Sequence, residues 1–138
     1  MRILALDVGS KTIGVAMSDP MNIIAQGVTT IKRKTLDEDL DELMKIINDY
    51  NVELIVVGKP LNMNNTEGKS VQRVMNVGNR LRDKSGIELV YQDERLSTVS
   101  ANAVLMDSKV RRENRKKYVD KIAATYILQT YLDWRNNG

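Results

Sequence analysis

The sequence predicts an α/β domain: a five-stranded mixed sheet, three antiparallel strands followed by parallel βαβα crossovers, with helices on both faces. Three observations carry that expectation. Two apolar runs, Ile3 to Val8 and Ile13 to Met17, are joined by Gly9-Ser10-Lys11-Thr12 and read as a β-hairpin. Glu53 to Gly58 is a continuous apolar strand of the kind buried in parallel sheets. Helical and strand patterns alternate after it, which implies right-handed parallel crossovers.

Each element has its own signal. The first strand ends in Asp7-Val8-Gly9. A carboxylate there is costly unless a partner, a metal or a hydrogen-bond network compensates it. Asp7 is therefore either functional or a turn-capping residue, and Gly9 leaves room for a ligand to approach. Ile23 to Ile31 is rich in β-branched residues and reads as a third strand, antiparallel to the second. From Thr35 to Tyr50, Leu36, Leu40, Leu43, Ile47 and Tyr50 form one helical face, with acids crowding the first half where the helix dipole favours them. After Gly58 the chain is loop-like from Lys59 to Asn65. A second helix opens at Thr66, runs to about Lys84 with Val71, Val74, Gly78 and Leu81 on its buried side, and closes at Ser85-Gly86. Ile87 to Tyr91 is the last strand, and Gln92-Asp93-Glu94-Arg95 follows it. Ser97 or Thr98 would cap a helix carrying Val99, Ala103, Val104 and Met106. Asp107 to Lys117 is polar and basic, and Tyr118 to Trp134 is a long final helix.

The bulk numbers narrow the chemistry. A chain of 138 residues suits one domain, spanning residues 1–138, able to bury roughly two-thirds of its unfolded surface. Cysteine and histidine are both absent. That excludes disulfides, thiolate metal sites, the usual zinc ligand and the commonest general base. Catalysis must rest on carboxylates, lysines, hydroxyls or a bound hard metal. A net charge of +3 is compatible with a polyanionic partner. No membrane span and no signal-peptide pattern stand out, so a cytoplasmic protein is expected.

Asp7, the Asp93/Glu94 pair and Asp120 each fall at the end of a predicted element. Sites in open sheets form at the carboxyl ends of strands. The first and fourth strands should be parallel neighbours with the fifth beyond, so Asp7 and the 93/94 pair open on one edge. Adjacent strand residues point to opposite faces, so only one of Asp93 and Glu94 can join Asp7. Asp120 shares a helical face with Ala123, Ala124 and Ile127, and the alanines would let the helix approach the sheet; otherwise it is a surface acid near a helix N-terminus. Three carboxylates together are tolerated around a cation, and oxygen-only ligation selects Mg²⁺ or Mn²⁺. Two such ions can clamp the attacking and leaving oxygens of a phosphoryl transfer.

The pieces Leu6-Asp7-Val8-Gly9-Ser10-Lys11, Gly14-Val15-Ala16-Met17-Ser18-Asp19, Gly58-Lys59-Pro60-Leu61-Asn62-Met63, Thr66-Glu67-Gly68, Asp93-Glu94-Arg95-Leu96-Ser97-Thr98 and Asp120-Lys121-Ile122-Ala123-Ala124 stand in order over nearly the whole chain. In them the chain resembles the YqgF family, also called RuvX, of the ribonuclease H-like fold. The resemblance implies that Asp7, Glu94 and Asp120 are the catalytic, metal-binding carboxylates. It implies a nuclease acting on structured nucleic acid, in maturation of the 5′ end of pre-16S ribosomal RNA or, by likeness to RuvC, in resolving four-way DNA junctions. Thr12, Lys59 and Asn65 depart from the family's usual Arg, apolar residue and Gly.

Other polar residues fit a substrate groove. Lys11 is a candidate phosphate contact or a solvated turn lysine. Asn62, Asn64, Asn65 and Thr66 are candidate donors at a helix N-terminus, or turn and cap residues. Arg95 adjoins the acidic pair. Lys109, Arg111, Arg112, Arg115, Lys116 and Lys117 form the densest basic run, a phosphate-binding surface or a solvated loop. Aromatics are 4% of the chain, which argues against a base-stacking platform. Trp134 is a candidate dimer contact, otherwise packed on its own domain, so the expected state is a monomer or weak homodimer. Two other classes compete with a metal-dependent nuclease. An ATPase of the actin and sugar-kinase type shares the Asp7-Val8-Gly9-Ser10 pattern but needs two such domains, and ATP binding would reveal it. A non-catalytic RNA-binding assembly factor would bind RNA without metal and without turnover.

Overall fold

The computed structural model describes residues 2–59, 69–93 and 112–137. Strand β1 (Arg2–Val8) and strand β2 (Thr12–Ser18) form the expected hairpin, with Leu4 opposite Met17 and Asp7 opposite Gly14. Strand β3 (Ala25–Lys32) pairs antiparallel to β2. Helix α1 (Leu36–Tyr50), strand β4 (Val52–Lys59), helix α2 (Lys69–Ser85), strand β5 (Glu88–Asp93) and helix α3 (Arg112–Asn137) complete the order. The sheet runs β3-β2-β1-β4-β5, with β4 parallel to both β1 and β5. The expected mixed sheet is therefore the observed one.

Strand alternation splits the core into two layers. Leu4, Leu6 and Val8 face one side with Leu40, Leu43 and Ile47 of α1 and Val74, Val77 and Leu81 of α2. Ile3 and Ala5 face the other side with Ala124, Ile127, Leu128 and Leu132 of α3. Helix α1 begins where Thr35 accepts the Glu38 amide at 3.2 Å, and it ends where Asn51 turns left-handed. Gly86, at φ +69°, closes α2 by donating its amide to the Arg82 carbonyl.

Four expectations need adjusting. The third strand starts at Ala25, because the Asp19 carboxylate accepts the amides of Ile23 and Ile24 at 2.7 and 3.0 Å and holds both residues in a turn. The last helix begins at Arg112, so Arg112 to Lys117 continues a helix and is not a loop. Tyr50 lies off the buried face of α1, 42% exposed, beneath the Arg2 guanidinium at 5.6 Å. Trp134 packs on its own domain through Tyr131, with ring centres 5.8 Å apart, but is 68% exposed. The helix expected after Thr98 and the opening of the second helix at Thr66 lie outside the described residues. Among the described residues no helix is long and apolar enough to cross a membrane.

Candidate active site

Asp7 follows Ile3 and Ala5 onto the α3 face of β1, one residue before the strand ends, and is half-buried. Its cross-strand partner on β2 is Gly14. On the other flank the β1–β4 register pairs Leu6 with Val57, so the next step sets Asp7 beside Gly58. The carboxylate thus stands between two glycines. Neither glycine sets a side chain beside the carboxylate, and both are buried.

Farther along the same row, Gly58 pairs with Gln92 of β5. The Gln92 amide donates to the Ile127 carbonyl of α3 at 3.0 Å, and Val90 packs in the α3-side core, so the even-numbered positions of β5 face α3. Asp7 belongs to that same face. By period two the next even-numbered position in sequence is Glu94, which lies outside the described residues. Asp93 pairs in backbone register with Lys59.

Helix α3 runs antiparallel to β1. Gln129 accepts the Ala25 amide at 2.9 Å, Ala25 pairs with Ser18, and the Ser18 hydroxyl accepts the Ile3 amide at 2.9 Å, so Gln129 and Ile3 stand at one level. From Ile3 to Asp7 is about 13 Å of strand. From Gln129 to Asp120 is about 14 Å of helix. Towards its start the helix therefore runs from Gln129, past the fully buried Ile127, Ala124 and Ala123, towards the Asp7 end of the sheet, and its backbone reaches Asp120 there. Of the described residues, no three acidic side chains form a ready metal cluster.

At the same end of the sheet, Lys11 is exposed in the β1–β2 turn. Arg112, Arg115 and Lys116 lie in the opening turns of α3. Asn62, Arg95 and Arg111 lie outside the described residues. One pair had no counterpart in the sequence reading. Asp39, only 1% exposed, binds the Arg33 guanidinium at 3.1 Å and the Lys34 amide at 2.9 Å. Arg33 also donates to the Gly9 carbonyl at 3.0 Å. The signal for Asp39 is its spacing, three after Leu36 and four before Leu43, on the buried stripe of α1.

Asp19, in the motif that follows the hairpin, is at the far end of the sheet from Asp7. Its carboxyl is held below its ordinary 3.8 by hydrogen bonds from the amides of Ile24 and Ile23. That makes it a loop-closing residue.

The alternating layers, the strand order and an acid ending β1 define a ribonuclease H-like α/β domain. Solved structures share it. The Thermus thermophilus RuvC bound to a Holliday junction substrate superposes with a TM-score of 0.68 at 11% identity, covering 100% of this chain and 97% of that one. The fowlpox virus Holliday junction resolvase gives 0.56 at 13% identity, over 97% and 99%. Within this fold the chain belongs to the RuvX family, described as Holliday junction resolvase, which it matches over residues 1–134. A relative from Agathobacter rectalis named "Putative pre-16S rRNA nuclease" is 50% identical over 100% of this chain and 99% of its own length. One of the same name from Clostridium kluyveri is 53% identical over 96% and 97%.

Proposed function

We propose that this protein is a divalent-metal-dependent endonuclease that hydrolyses phosphodiester bonds at the 5′ end of pre-16S ribosomal RNA. The reading rests most on half-identity, over full length, to relatives that carry that name. Asp7 between two glycines supports it: a strand-end carboxylate with no side chain on either flank suits an ion meeting a phosphate. Carboxylate oxygens are the donors that Mg²⁺ and Mn²⁺ take, and the chain holds no cysteine or histidine to favour a softer metal. Asp7, Glu94 and Asp120 would hold two such ions. Bound there, the cations supply Lewis-acid stabilisation of charge developing on the phosphoryl oxygens.

The chain's own residues do the rest. Lys11 neutralises a phosphate beside the β1 turn. Arg112, Arg115 and Lys116, with Arg95, Arg111 and Asn62, hold the backbone of the substrate without reading its sequence. Binding should therefore weaken steeply with salt. The protein acts as a single domain in the cytoplasm.

The family description favours a second substrate, four-way junction DNA. The test is cleavage of a labelled pre-16S fragment beside a labelled four-way junction, with Mn²⁺ and with EDTA. Metal-dependent cutting of the RNA supports the ribosomal reading. Symmetric cutting of the junction alone would move the function to recombination and require a dimer. Binding of RNA without cutting would leave an assembly factor.

A further inference from the structure

The β1–β2 turn is held by more than its own hydrogen bond. Inside it, the Gly9 amide donates to the Thr12 carbonyl at 2.8 Å. From outside, Arg33 grips it twice: its backbone amide donates to the Lys11 carbonyl at 2.9 Å, and its Nη1 donates to the Gly9 carbonyl at 3.0 Å. The Nε of the same guanidinium binds the Asp39 carboxylate. Asp39 is itself fixed at the start of α1, where its Oδ1 accepts the Lys34 amide. A hairpin turn needs none of this to form. A buried carboxylate is costly to maintain and is a poor source of stability by itself.

We propose that Arg33, oriented by Asp39, is a positioning residue of the active site: its guanidinium ties the Gly9 carbonyl to the start of α1 and fixes the end of β1 that carries Asp7. The proposal rests on the reading of Asp7 as the catalytic carboxylate. Gly9 is two residues from Asp7, so movement of its carbonyl shifts the acid. A planar guanidinium spans two acceptors through different nitrogens in one fixed geometry. An ammonium is a single point charge on a flexible stem and does not span them.

That difference separates positioning from mere stabilisation. Arg33→Ala strands a buried carboxylate and is expected to unfold readily, so Arg33→Lys is the decisive variant. It keeps a cation for Asp39 and loses the fork. Three quantities are read on wild type and Arg33→Lys: the urea midpoint, amide exchange at Gly9, and the kcat and KM of RNA cleavage. The expected result is a midpoint close to wild type with Gly9 exchange faster by about tenfold or more. With it, kcat falls about 10- to 100-fold and KM stays within about twofold. Wild-type stability, exchange and kcat together in Arg33→Lys would overturn the proposal, because the ion pair alone would then suffice. Should wild type cut neither RNA nor junction, the nuclease reading fails, and unchanged exchange at Gly9 in Arg33→Lys would separately remove the clamp.

Discussion

The two faces of the sheet are built from different residues. Towards α1 and α2 the central strands present Leu4, Leu6, Val8, Ile13, Val15 and Met17, all buried. Towards α3 they present Ile3, Ala5, Ala16, Leu54 and Val56, with Gly14 and Gly58 farther along, and α3 answers with Ala124, Ile127, Leu128 and Leu132. Large branched side chains fill the first face and give most of the apolar burial. The second face mixes Ala5, Ala16 and Ala124 with Ile3, Leu54, Val56 and Ile127, and it ends in Asp7. Both layers stabilise the fold, and the second also positions a carboxylate between two glycines. Activity and stability should therefore respond separately to changes on the two faces.

The largest separation is expected at Asp7. Asp7→Asn is nearly isosteric and should lower cleavage by about a thousandfold or more, with the urea midpoint little changed. Next comes Leu43, fully buried under the sheet on α1. Leu43→Ala should cost about 3 kcal/mol in urea unfolding and leave cleavage per folded molecule near wild type. Gly78 of α2 sharpens the first face further, since a Cβ there would lie 3.0 Å from ring carbons of Tyr91. The Tyr91 hydroxyl is anchored to Asn79 at 2.9 Å, so the ring cannot swing away without losing that bond. Gly78→Ala should destabilise by about 1–3 kcal/mol, again without a specific loss of rate. Ala124→Val tests the second face: about 1 kcal/mol of overpacking, but a fall in rate beyond what the unfolded fraction explains.

Much of this was legible from local pattern. The hairpin, the β4 run and the α1 stripe follow from apolar period, and Thr35 and Gly86 mark helix ends by known cap chemistry. Asp7 stood out because an acid ending an apolar strand is expensive. What escaped depended on contacts across the fold. Asp37, Glu38 and Asp39 look alike as acids in a first helical turn. Spacing alone sets Asp39 on the stripe of Leu36 and Leu43, but only the return of β3 brings Arg33 to it. Ile23 and Ile24 read as strand because the pattern cannot show the Asp19 carboxylate capturing their amides. The even-numbered positions of β5 could be assigned to the α3 face only once Gln92 was seen bonded to Ile127.

The smallest effect belongs to Asp19, far from the site. Its carboxyl lies below 3.8 in the folded chain. A lowered folded value contributes stability above the unfolded one, and the contribution is lost as pH falls through the folded value. Wild type should thus lose part of its stability below about pH 4, and Asp19→Asn should flatten that acid limb of the urea midpoint. Cleavage near neutral pH should be unaffected.

The most direct measurement pairs cleavage of a pre-16S RNA fragment by Asp7→Asn, in Mn²⁺, with its urea unfolding curve. Loss of cutting with an unchanged midpoint is the predicted result, and it would place the chemistry on the α3 face. Undiminished cutting, or a rate and a midpoint that fall together, would contradict the division of labour between the two faces.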